Sequence, residues 1–158
     1  MAVTINGQHG TYSNVKDTFP QSTTLTGTVS SVNDGTLIIG VGTLFLTEIS
    51  RGEWLYVAAE TEVRQVREVM SNTELMLETE FTNTLSGATA KRVPRQTYRS
   101  ISWLVDDDGT AKIDGQTFPS GKSGTLGLTR VNETGKRPAP IIIDSTTNSN
   151  EVYIEIQF

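Results

Sequence analysis

The sequence predicts an all-β protein: an N-terminal extended arm followed by two small β modules, the first barrel-like and the second sandwich-like. Threonine is abundant and glycine numbers 14 in 158 residues, while alanine and leucine are modest, a bias towards strands and turns. Apolar and polar residues alternate in short runs, most cleanly at the end of the chain. There Val152, Ile154, Ile156 and Phe158 face one way, and Glu151, Tyr153, Glu155 and Gln157 the other. Turn signals such as Asn33-Asp34-Gly35 and Asp108-Gly109 separate the runs.

Residues 1–24 read as the arm. They hold Gly7, Gly10, Pro20 and scattered apolar side chains without a sustained period. Val3, Ile5, Tyr12, Val15 and Phe19 have no evident place in either module and are the candidate partner-binding residues; the arm is expected either to fray in the free monomer or to order against a neighbouring subunit or the capsid surface. The first module spans 25–95. Leu37, Ile39 and Val41 alternate as in a half-buried strand, residues 43–49 suit a single helical turn, and Glu53–Val57 is strand-like. In 62–69, Val63, Val66 and Val69 fit a helical stripe, but valine is β-branched and the run is short, so a strand is expected. Leu75-Met76-Leu77 follows as a strand, and Pro94 marks a boundary.

The second module spans 96–158. Ile101, Trp103 and Val105 share one side of a strand, Asp108-Gly109 turns the chain into Thr110–Ile113, and Asp114-Gly115 turns it again. Ile141-Ile142-Ile143 reads as a buried strand, and 151–158 as the last. Trp54 and Trp103 are expected as buried anchors of the two modules.

Composition excludes several chemistries. With no cysteine there is no disulfide framework and no thiolate site, and with His9 alone there is no poly-histidine metal cage. A net charge of −5 argues against nucleic acid, whose binding draws on a basic face. No apolar run reaches the roughly 18 residues of a membrane-spanning helix, and the first residues lack a signal-peptide pattern. A soluble chain with neither a nucleic-acid nor a membrane partner is expected.

Local motifs fail on spacing. Gly121-Lys122-Ser123 resembles the end of a phosphate-binding loop, but Gln116 stands where the leading glycine belongs. Asp106-Asp107-Asp108-Gly109 lacks the glycine and glutamate positions of a calcium loop and reads as a hairpin tip. Glu60/Glu62 and Glu78/Glu80 suit a solvated strand face better than an acid–base pair, and His9 sits in the arm without acidic partners nearby. No nucleophile, base and oxyanion site assemble, so neither an enzyme nor a cofactor, metal or catalytic residue is expected.

Residues 26–93 carry a more specific pattern. It runs Thr26-Gly27-Thr28-Val29, then Val41-Gly42-Thr43-Leu44-Phe45 after Gly40, Gly52-Glu53-Trp54-Leu55, Val66-Arg67-Glu68-Val69 and Asn72-Thr73-Glu74-Leu75-Met76-Leu77. This resembles a small β module of tailed-bacteriophage structural proteins, found in head decoration, tail, baseplate and fibre components. In such a module Gly40 and Gly42 would permit tight turning, Phe45 would plug the barrel end and Gly52 would release the strand carrying Trp54. The resemblance implies a non-enzymatic virion protein assembled in the host cytoplasm. Its partners would be other virion proteins, the major capsid protein or tail and baseplate proteins, and further copies of itself. The expected role is a capsid decoration (cement) protein. A tail or baseplate/fibre adaptor is the alternative within that class. A carbohydrate- or receptor-binding module, with Tyr98, Trp103 and Tyr153 as stacking platform, is the alternative outside it.

Overall fold

The computed structural model describes residues 2–6, 9–32, 35–95, 100–105, 110–113, 116–119, 123–127, 140–146 and 151–157. Almost every element is a strand. In chain order these are β1 (Ala2–Asn6), β2 (His9–Ser13), β3 (Lys16–Phe19), β4 (Thr23–Thr24), β5 (Thr28–Ser31) and β6 (Leu37–Val41). A single turn of helix, α1 (Phe45–Glu48), precedes β7 (Trp54–Val57), β8 (Glu62–Val69), β9 (Glu74–Leu77) and β10 (Lys91–Val93). Then come β11 (Ser100–Val105), β12 (Thr110–Ile113), β13 (Gln116–Pro119), β14 (Ser123–Gly127), β15 (Ile141–Asp144) and β16 (Glu151–Gln157). The chain is all-β, as its composition predicts.

It divides into two compact units, one of Pro20–Arg95 and one of Met1–Phe19 with Gln96–Phe158. This corrects the expected arm. β2 pairs with β16 and β1 pairs with β2, within a five-stranded sheet ordered β1-β2-β16-β11-β14. β3 pairs with β15 in a four-stranded sheet ordered β13-β12-β15-β3. Both sheets feed one core, with Tyr12, Trp103, Val105, Val152 and Ile154 from the first and Phe19, Ala111, Ile113, Ile141 and Ile143 from the second.

Four of the five candidate partner-binding residues therefore belong to the protein's own interior. Tyr12 and Phe19 are 0% and 1% exposed, and Val3 and Val15 pack against the same core. Ile5 alone is exposed. The segment lacked a visible period because an inward position of β2 is a glycine. A Cβ at Gly10 would lie 2.7 Å from Ile154 Cγ1, and Ile5 Cγ1 also packs there. In β3, Asp17 and Thr18 are buried beside Phe19, which hides any alternation. Asp17 Oδ1 accepts from the Thr18 N–H at 2.8 Å, and the Thr18 carbonyl accepts from the Tyr12 hydroxyl at 2.6 Å.

Unit 20–95 holds one seven-stranded sheet ordered β4-β10-β7-β8-β9-β6-β5. A flat sheet of that width would separate β4 from β5 by about 29 Å at the usual strand spacing. Yet only residues 25–27 join them, a reach of about 14 Å. The sheet must curl. It does not close into a barrel, which corrects the barrel-like expectation: β4 and β5 stay its two edges. A lone bridge between Val29 and Ala88, with Leu25 donating to the Ala90 carbonyl and Ser31 to that of Leu85, covers the gap.

The curled sheet surrounds Leu25, Val29, Ile38, Phe45, Leu55, Val57, Val66, Leu75 and Leu77. β8 is a strand despite its helix-like stripe. Its register against β9 slips between Val66 and Glu68, and this bulge turns both Val66 and Val69 towards the core. Trp103 is buried as expected, at 7% exposure, but Trp54 is only half-buried, opposite Val93 and Gln65, because Leu55 and Val57 hold the core positions of β7.

Two outcomes follow. Deleting residues 1–19 should strip the 96–158 strands of Tyr12 and Phe19, abolishing the blue-shifted Trp103 emission while 20–95 still melts cooperatively. Tyr12 should also set an alkaline limit. Burial, reinforced by Asp17, pushes its phenol well above the usual range. A raised native pKa leaves stability intact below the unfolded value of about 10 and removes it above, by about 1.4 kcal/mol per pH unit. Urea melts of wild type between about pH 10 and 11.5 should fall more steeply than those of Tyr12→Phe, while at pH 7 the variant loses about 1–2 kcal/mol with its buried hydrogen bond.

Candidate functional surface

The Gly-x-Gly-Thr-x-Phe stretch builds one end of unit 20–95. Gly40 lies just past the part of β6 that pairs with β9, and its N–H donates to the Thr73 carbonyl at 2.8 Å. A Cβ on Gly40 would lie 2.0 Å from Thr43 Oγ1, so glycine is required because the threonine lies across it rather than for a turn. Gly42 does make the turn, at φ +68°, with open space around it. Thr43, only 3% exposed, donates its hydroxyl to the Asn72 carbonyl at 2.6 Å. The same carbonyl accepts from the Phe45 N–H at 3.2 Å, and Asn72 Oδ1 accepts from the Leu46 N–H at 3.2 Å. Phe45 is fully buried in the core of the curled sheet, with no barrel end for it to plug.

With Thr43 and Phe45 turned inwards, the residues between and beside them turn out. Val41 is 71% exposed, Leu46 60%, Leu44 45% and Met70 42%. All four belong to the two segments that Asn72 and Thr73 lace together, and they bring unpaired apolar area to one end of the unit. At the end of α1, Glu48 takes the Thr26 N–H at 3.0 Å and the Thr26 hydroxyl on its two oxygens. This clamp ties α1 to the link between β4 and β5. Thr23, Thr24, Leu25, Thr47, Glu48 and Arg92 line a small hollow there, about 200 Å³ in volume.

The carboxylates at the other segments hold loops. Glu62 receives the Thr82 N–H at 3.0 Å and its hydroxyl, and Arg64 Nη2 at 2.8 Å. Partial burial pushes the Glu62 carboxyl up, but the two Thr82 bonds and the Arg64 guanidinium outweigh it and hold the group below its ordinary value. Glu60 lies in the turn before β8 and accepts from Asn83 Nδ2 at 2.7 Å, so Glu60 and Glu62 do not share a strand face as expected. Arg64 also lies over the Phe81 ring, 5.3 Å from its centroid.

The other expected features distribute as follows. His9 is a residue of β2, opposite Glu155 of β16, and not part of a loose arm without acidic neighbours. Of the expected stacking platform, Trp103 is buried in the core, Tyr153 is 40% exposed, and Tyr98 lies outside the described residues. Asp106–Asp108, Gly121 and Lys122 also lie outside them. Among the described residues no three His, Asp or Glu side chains gather at metal-binding distance, and no helix is long and apolar enough to cross a membrane. No known protein family, curated protein or solved structure matches the chain. Sequence reasoning missed Val41, Leu44, Leu46 and Met70, whose exposure depends on which way a tight loop turns each neighbour.

The loop geometry makes a quantitative expectation. Gly40→Ala should displace Thr43 and cost about 1–3 kcal/mol in a urea melt. Thr43→Ala in the same chain should recover some of that loss, a positive coupling between the two sites.

Proposed function

We propose that this chain is a non-enzymatic virion structural protein of a tailed bacteriophage, a capsid decoration protein that docks through the α1 end of unit 20–95. The observation that carries the reading is the apolar set Val41, Leu44, Leu46 and Met70, exposed around a hydrogen-bonded loop. Those side chains add nothing to the core of their own unit, and their area gains stabilisation only when a partner removes it from water, at about 25 cal/mol per Å². The sequence pattern that resembles phage structural modules supports the same reading, since its glycine, threonine and phenylalanine are the residues that build this loop. The docking surface is thus the α1 end, and not residues 1–19, whose large side chains are mostly spent on their own core.

The test is co-sedimentation with phage particles that lack the native copy, using whole particles and heads freed of tails. Decoration predicts attachment to heads at high occupancy. Attachment only to tailed particles would transfer the protein to the tail or baseplate, and attachment to neither would overturn the virion reading. Val41→Asp with Leu46→Asp should abolish attachment with an unchanged thermal melt, because both sites are already in water.

A further inference from the structure

β1 is the outer strand of its five-stranded sheet, bonded on one side to β2 and, among the described residues, to no strand on the other. Alternate residues of such a strand turn N–H and C=O groups outwards, a template for a further strand. The remaining edges are each guarded. β3 carries Lys16 and Asp17 and runs into Pro20, β13 ends in Pro119, and β4 is only two residues long. β5 is covered by the bridge to Ala88. β14 has two glycines in five residues and offers little for a neighbour to pack against. β1, Ala-Val-Thr-Ile-Asn, has no charge, proline or glycine.

Its sequence is also self-complementary. Two copies laid antiparallel about a two-fold axis at Thr4 place Thr4 opposite Thr4, Val3 opposite Ile5 and Ala2 opposite Asn6. Cross-strand residues share a face. Val3 and Ile5 lie on the inner face with Tyr12 and Gly10, and Thr4 lies on the outer face with Thr11. The apolar residues of one copy therefore meet those of the other over the core side, and the threonines meet on the wet side. Ile5, 37% exposed over Gly10, and the half-buried Val3 would gain cover from such an extension. Although the chain has a net charge of −5, β1 brings no carboxylate to this edge, so no side chain of the strand repels the same strand of a second copy.

We infer that β1 is a homodimerisation strand, joining two copies of this chain through an antiparallel β1–β1 pair centred on Thr4 into a continuous ten-stranded sheet. The partner is a second copy because the edge is complementary to itself in register and side-chain type and sets no like charges against each other. The inference is independent of the virion reading, since it concerns the purified protein alone.

Sedimentation velocity over a concentration series tests it. Wild type should shift from monomer to dimer with rising concentration, and the amides of β1 that point away from β2 should exchange more slowly in step. Thr4 is exposed, so Thr4→Lys and Thr4→Glu leave the fold intact but set like charges against each other at the axis. Each should lose the dimer when alone, Thr4→Gln should keep it, and an equimolar mixture of the Lys and Glu variants should regain it as a heterodimer. A wild type that stays monomeric, exchange at β1 that ignores concentration, or charged variants that dimerise as well as wild type would each overturn the proposal.

Discussion

The pairing of the first strands with the last ones is the constraint on which the architecture rests. β16 lies against β2, and β15 against β3, so the two sheets of one unit are each closed by chain segments from opposite ends of the sequence. Ser145 makes the link explicit, accepting from the Val15 N–H at 3.0 Å and donating to the Val15 carbonyl at 3.0 Å. Everything from Pro20 to Arg95 is consequently an insertion within a discontinuous unit, and it carries its own separate core. The inserted unit answers that arrangement locally. Its entering strand β4 and departing strand β10 are paired, with Thr24 opposite Lys91 and Thr23 opposite Arg92, so it begins and ends at one place.

How much of this was legible in the sequence depends on what each residue had to signal. The final strand was plain, because Val152 and Ile154 alternate with Tyr153 and Glu155 and each goes where the period sends it. The all-β class was plain for the same reason. Residues 1–19 were opaque because their inward positions are not all apolar. Gly10 occupies one so that Ile154 can lie over it, and Asp17 and Thr18 are buried on their own hydrogen bonds. A segment whose partner lies more than a hundred residues away gives no local sign of it either. The stripe of Val63, Val66 and Val69 shows the opposite failure: in β8 a bulge brings Val66 and Val69 to the core side, and Val63, before the bulge, is not part of that core. The two tryptophans likewise look alike in sequence, yet only Trp103 falls on a core row.

For the candidate surface, legibility divides along the direction of each side chain. Gly40, Thr43 and Phe45 stood out because close contact restricts the residue types that fit, and close contact is what they make. Val41, Leu44 and Leu46 did not, since apolar residues in a strand–turn segment are assigned to the core by default. Their exposure follows from Asn72, which holds Thr43, Phe45 and Leu46 by its carbonyl and side-chain oxygens and so fixes which neighbours turn outwards. One asparagine, unremarkable in sequence, thereby decides the character of that end of the unit.

The discontinuous unit also sets a timetable during synthesis. β3 leaves the ribosome early, but its partner β15 begins at Ile141. At about 5–20 residues per second the interval is roughly 6–25 s. Unit 20–95 has all its strands long before that and folds in the meantime. Throughout, Tyr12 and Phe19 wait without the isoleucines that will cover them. The nascent chain therefore carries a finished module with a sticky leader ahead of it, which makes this interval the one in which chaperones have most to hold and neighbouring polysomes most to tangle with.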